Sequence, residues 1–210
     1  PEERAAFDFL YASTKATKAE PNVHLNFNHA MSRVNLKFVP GTDPEGNPVT
    51  LTDIECYLVG IKRNGTFDTE TGVAAVTEDA AVSDLRQMLN ADNDYTFTAY
   101  LLPQTIGAEG LQIEAAMTTA DGRRIYYFLE IPVSDWPEMK AGYSYNYTLT
   151  ANDYMTASPT VLEISGTDIN PWTEVNKEET PDAKALGTEA YVNGAEWGEM
   201  ENEEIVPEVK

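Results

Sequence analysis

Cysteine is almost missing: Cys56 stands alone in 210 residues, which excludes an internal disulfide framework and a multi-cysteine zinc site. It lies in an apolar alternating run, the setting of a buried and inert thiol rather than a nucleophile. Cations are scarce too, with 14 Lys and Arg against 35 Asp and Glu, a net charge of -21 and a pI near 4.2. A nucleic-acid binder needs clustered cations to release counterions from phosphates, so that class is excluded. An anionic membrane surface would repel the chain for the same reason. No apolar run approaches the roughly 18 residues a helix needs to cross a bilayer.

Histidine is nearly absent as well. His24 and His29 are the only two, and no other side-chain type has its ordinary pKa close to neutrality. In an extended strand they point to opposite faces, and nothing in the sequence announces ligands or a nucleophile beside either of them. GxSxG, HExxH, P-loop and GxGxxG signatures are missing. The sequence therefore assigns no catalytic residue, no cofactor and no metal site. The chain opens on Pro1, so the lack of a signal segment is not evidence for the cytoplasm.

What is present is a period of two. Val23 to Asn28 alternates strictly between apolar and polar residues, and Val34 to Phe38 does so again, the pattern of strands that bury one face. Residues 41–48 form a dense turn cluster. Leu51 to Ile61 places Ile54, Cys56 and Leu58 on one face, and Asn64-Gly65 reads as a hairpin turn. Ala80 to Leu89 breaks the alternation, with Val82, Leu85 and Met88 at helical spacing, and predicts a short helix or ordered loop. Strands follow at Tyr95–Leu101 and Leu111–Ala115, with a turn at Asp121-Gly122. Ile125–Ile131 carries bulk on both faces and predicts a central strand. Tyr143, Tyr145 and Tyr147 share one face of a further strand, and Val161–Ile169 gives the last. The count of about 7–10 short strands predicts an all-β sandwich or barrel.

Composition changes after Trp172. Residues 173–210 hold eleven acidic groups against Lys177, Lys184 and Lys210, with few apolar residues among them. Such a segment cannot offset its own ordering entropy, so it is expected to be disordered or docked on a partner. The expected organisation is a sandwich domain over 1–172 and an acidic tail over 173–210. Acidic turns at Asp43–Asn47 and Asp92–Asp94 offer oxygen ligands but match no full calcium loop, and solvated turns are the better reading. Tyr126, Tyr127 and the Tyr143–Tyr147 set would make a sugar-stacking face if exposed, whereas strand packing is the stronger expectation. Trp172 is expected to anchor the last strand at the edge of the core. Trp197 lies in the polar tail without an evident intramolecular partner, which marks it as an anchor for a partner groove.

Five segments in order then carry a resemblance: Asp8-Phe9-Leu10-Tyr11-Ala12, Val23 to Val34 with Phe27-Asn28-His29-Ala30-Met31 at its centre, Leu102-Pro103-Gln104, Tyr143 to Leu149, and Ile169-Asn170-Pro171-Trp172. The sequence resembles the fimbrillin family of Bacteroidales, subunits and tip proteins of type V pili and related minor-fimbria-like lipoproteins. The resemblance implies transthyretin-like β-sandwich domains, export through a lipoprotein signal and display at the outer membrane. It implies that 1–172 is the C-terminal domain of a longer, lipid-anchored precursor. Its partners would be other pilin subunits, or a host protein or glycan, and it would not be an enzyme. Family subunits assemble by strand exchange, in which a neighbour's C-terminal tail fills a groove. Here Tyr191, Val192, Ala195 and Trp197 are the donor-strand candidates. Gly194, Gly198 and the acidic residues from Glu199 to Glu204 depart from an apolar donor.

Overall fold

The computed structural model describes residues 8–15, 23–155 and 160–172, and the backbone of 189–192. The chain divides into two compact units, Pro1–Tyr11 with Asn28–Thr173, and Ala12–Phe27 with Glu174–Lys210. The strands in chain order begin with β1 (Leu10–Tyr11), β2 (Val23–Asn26), β3 (Asn28–His29), β4 (Ser32–Pro40), β5 (Ile54–Lys62) and β6 (Gly65–Asp68). Next come β7 (Val73–Val76), β8 (Val82–Leu89), β9 (Thr96–Leu101), β10 (Gln104–Thr105), β11 (Leu111–Thr118) and β12 (Arg124–Ile131). The last are β13 (Glu138–Met139), β14 (Tyr143–Ala151), β15 (Thr160–Val161), β16 (Glu163–Pro171) and β17 (Glu189–Val192).

In the larger unit five strands form a sheet in the order β15-β12-β11-β5-β8, and four form a second in the order β16-β14-β4-β9. Pairing is antiparallel except between β12 and β15 and between β14 and β4. The alternation explains why the two sheets pack. On β4, Val34, Leu36 and Phe38 turn inward while Arg33, Asn35 and Lys37 turn out. Ile54, Cys56 and Leu58 do the same on β5, Leu111, Ile113, Ala115 and Met117 on β11, and Tyr145, Tyr147 and Leu149 on β14. All of these belong to one hydrophobic cluster drawn from both sheets. Each buried large aliphatic contributes on the order of 1.5–3 kcal/mol to holding the layers together. The molecule is therefore an all-β sandwich, as the period of two predicts.

Four local expectations are corrected. Ala80–Leu89 is no helix: Val82–Leu89 is β8, antiparallel to β5. Its inward positions hold Ser83 and Gln87 beside Leu85 and Leu89, and its outward positions hold Val82 and Met88, so the alternation is scrambled in the sequence but not in space. Asn64-Gly65 links β5 to β6 and is not a hairpin tip. The hairpin turn falls between β6 and β7, where Gly72 at φ +73 donates its N–H to the Asp68 carbonyl. Gly65 serves a close approach instead, since a Cβ there would lie 2.2 Å from the Ala75 carbonyl oxygen. β12 is not central: β11 is, and Tyr126 on the outer face of β12 is 52% exposed. Val161–Ile169 is two strands in two sheets, because the chain crosses between them at Leu162, buried and bonded through its N–H to the Phe128 carbonyl.

Trp136, between Pro132 and Pro137, is buried and stacks on Tyr145 and Tyr147 at 4.7 and 5.1 Å between ring centroids. In the smaller unit β2 pairs antiparallel with β17, placing Tyr191 opposite His24 and Val192 opposite Val23.

Candidate functional site

Of the donor-strand candidates, Tyr191 and Val192 lie on β17, where their backbone is laddered to β2. Ala195 and Trp197 fall outside the described residues. Extended backbone in the tail thus pairs with extended backbone near the start of the chain, an intrachain version of strand addition.

The sandwich itself has two flanks of different character. On one, β8 and β9 are the edge strands of the two sheets. Gln87, only 8% exposed, inserts its amide there: Oε1 accepts from the Thr98 N–H at 3.1 Å and Nε2 donates to the Thr96 carbonyl at 3.3 Å. The Gln87 amide replaces a missing strand and satisfies the edge. Gln104 bonds the last residue of β5, a strand inside its sheet, in the same two-point way, accepting from the Lys62 N–H and donating to the Lys62 carbonyl, both at 3.0 Å.

The opposite flank is bare. β16 pairs with β14 on one side, and among the described residues no strand pairs with its other side. Eight of its nine residues are exposed. Ile169 and Ile164 stand opposite Tyr145 and Leu149, which are core residues, yet they are 40% and 42% exposed. Val161, Tyr154 and Met155 nearby are also exposed. A long, uncovered edge strand with apolar residues on its core side is a template for pairing.

Both ends of the larger unit's described chain meet in a second, smaller cluster. His29 Nδ1 lies 2.8 Å from Asp8 Oδ1, and its ring stacks on Trp172 at 3.5 Å between centroids. The Arg33 guanidinium sits 4.8 Å from the Trp172 ring centre, and Tyr100 stacks at 5.3 Å. Phe9 stacks on Phe67, and the Phe9 carbonyl accepts from the Ala30 N–H. Trp172 is buried, as expected of an anchor, and its backbone N–H donates to the Gly142 carbonyl at 2.6 Å. His29 is thus committed to packing.

Cys56 is fully buried on the core face of β5, and burial pushes its thiol well above the ordinary range, away from nucleophilic chemistry. The Asp43 carboxylate is spent on its own turn, accepting from the backbone N–H groups of Glu45 and Asn47 and from the Asn47 side chain, and that side-chain bond leads in lowering its pKa. Tyr145 and Tyr147 face the core, so the exposed tyrosine set at 143–147 does not form. No helix among the described residues is long and apolar enough to cross a membrane.

Comparison with known proteins agrees with this architecture. A candidate cell adhesion protein from Bacteroides uniformis ATCC 8492 shares 20% identity at a TM-score of 0.58, over 79% of this chain and 60% of its own. Another from Bacteroides ovatus ATCC 8483 shares 21% identity at a TM-score of 0.53, over 72% of this chain and 49% of its own. The chain thus spans about half to three fifths of the length of these structural relatives. No curated protein matches it. The family model described as fimbrillin-like matches residues 2–172, the whole sandwich, and the chain belongs to that family.

Proposed function

We propose that the protein is a structural and adhesive subunit of a cell-surface fimbria, that residues 1–172 are the C-terminal domain of a longer lipid-anchored precursor, and that residues 173–210 act as its assembly tail. The observation that carries this reading is the fimbrillin-like match over residues 2–172. Two features support assembly by strand addition: the tail's strand β17 is already laddered in the extended form, and among the described residues no strand pairs with the outer edge of β16. Within one chain, β17 on β2 is a self-complemented state, and exchange would substitute a neighbour's strand for its own. The role is non-enzymatic, at the outer membrane, with other subunits as partners. A surface domain that binds a host protein or glycan without polymerising is the second reading, favoured by the acidic interruptions of the tail.

The test is light scattering and gel analysis of the processed precursor in two forms, intact and ending at Trp172. SDS-resistant ladders from the intact form alone support strand donation by the tail. Monomers from both overturn assembly through this tail, and ladders from both show that assembly uses another segment.

A further inference from the structure

The outer face of the five-stranded sheet carries a feature the fimbrial reading does not use. Across β5, β11 and β12, register sets Glu55, Ala116 and Tyr126 in one row and Tyr57, Glu114 and Phe128 in the next. Ala116 is the short member, flanked on both sides by taller side chains, and the result is a depression of about 340 Å³ over β11. That volume falls in the range of about 300–1,000 Å³ usual for small-molecule sites.

The polar groups around it are held in fixed positions. Glu55 Oε1 accepts from the Tyr57 hydroxyl at 2.5 Å and from Arg86 Nε at 2.6 Å, while its Oε2 accepts from Arg124 Nη2 at 2.9 Å. The Arg124 guanidinium also lies 5.4 Å from the Tyr126 ring centre. Arg124 spends one N–H on Glu55 and, with its side chain 48% exposed, presents the others outward. Guanidinium donors, carboxylate acceptors and a half-exposed aromatic ring therefore converge on one concave spot.

Charge selects the ligand class. Arg86 and Arg124 are balanced by Glu55 and Glu114, and the whole chain is at -21, so an anion has nothing to gain. A protein partner needs contact on the order of 1,000 Å² in total, far beyond this depression. A sugar hydroxyl both donates and accepts, matching carboxylate and guanidinium together, and the C–H face of a pyranose fits an aromatic ring. We propose that this face binds a short neutral oligosaccharide, with a ring stacked on Tyr126 above Ala116 and its hydroxyls shared among Glu55, Glu114 and Arg124. The site rests on the glycan-binding reading and not on the assembly role, since a monomer that never polymerises would still bind.

The test is a ¹H–¹⁵N NMR titration of the 210-residue chain with maltotriose, cellotriose, mannotriose, xylotriose and N-acetyllactosamine, with sialyllactose as the anionic control, each to about 20 mM. At least one neutral sugar is expected to shift the amides of Tyr57, Ala116, Tyr126 and Phe128, more strongly than sialyllactose does. Tyr126→Ala, which removes the platform, and Ala116→Phe, which fills the depression, should each weaken binding at least about tenfold. Tyr126 is 52% exposed, so Tyr126→Ala should keep Tm within about 1 °C. Ala116 is 8% exposed but lies on the outer face away from the hydrophobic cluster, so Ala116→Phe should stay folded with a Tm lower by no more than a few degrees. No shift from any neutral sugar, shifts mapping to another face, tighter binding of sialyllactose, or indifference to both substitutions would each overturn the proposal. None of these outcomes touches the ladder assay for assembly.

Discussion

The two flanks of one sandwich solve the same problem in opposite ways. Where β9 ends its sheet, Gln87 of β8 stands in for a strand and satisfies the Thr98 N–H and the Thr96 carbonyl. Where β16 ends its sheet, nothing among the described residues does so, and isoleucines on its core side stay in solvent. A fold that can seal an edge with one buried amide, yet leaves a nine-residue strand bare on the other side, has an edge available for pairing.

The largest expected effect tests how β16 is held at all. Its described tethers to the larger unit are its ladder to β14, with the side-chain bonds beside it, the Tyr154 hydroxyl that donates to Glu163, and its terminal neighbour Trp172. Trp172→Ala should cost roughly 3–5 kcal/mol, the usual range for deleting a buried tryptophan. Trp172 Nε1 has no hydrogen-bond partner among the described residues, so the loss is ring packing together with the Arg33 cation–π contact. Denaturant unfolding measures it, and a change below about 1 kcal/mol would mean the cluster with His29 and Tyr100 does not hold the strand.

The next effect probes the sealed flank. Gln87→Ala leaves the Thr98 N–H and the Thr96 carbonyl without a protein partner, at about 1–3 kcal/mol. On the bare flank, Ile169→Asp should cost no more than about 1 kcal/mol, because the side chain is already 40% exposed, while reducing subunit association. If Ile169→Asp unfolds the domain as readily as Gln87→Ala does, the contrast between the flanks is wrong.

This contrast also explains what could be read from the sequence. Regular alternation made β4, β5, β9 and β14 legible, because on those strands polarity and facing agree. β8 was illegible because Gln87 faces inward and Val82 faces out, and the reason, a hydrogen bond to β9, lies nine residues away along the chain and across two sheets. β12 was misplaced because Tyr126 and Phe128 lie on an outer face that is open to solvent, where bulk suggested a second buried layer. The outer-face network was invisible for a related reason: Glu55, Arg86 and Arg124 come from three strands, and only sheet order brings them together. Tyr191 and Val192 could be read as part of a donor strand, but not the identity of the strand they pair with, β2.

The smallest expected effect joins the two flanks through that network. Glu55 on β5 ties Arg86 of β8, the strand that carries Gln87, to Arg124 of β12, the neighbour of β15 near the bare flank. Its carboxyl is drawn from the ordinary 4.5 down to about 2, first by the Tyr57 hydroxyl, then by Arg86 against some burial, with Arg124 adding to the pull. A pKa lowered by folding means the unfolded chain binds the proton more readily, so the stabilisation is fully present above the unfolded value. It is lost as pH falls toward the folded one, in the window from about pH 5 to about pH 2. Glu55→Gln removes that titration, so its Tm should fall less steeply across the window than that of the parent protein, with the two curves converging at the acid end. Other carboxylates titrate there as well, which is why the difference between the two curves, rather than either slope, carries the result. Parallel curves would mean the carboxylate is not held by Tyr57 and the two arginines in solution, and that β8 and β12 are joined through β5 and β11 backbone pairing alone.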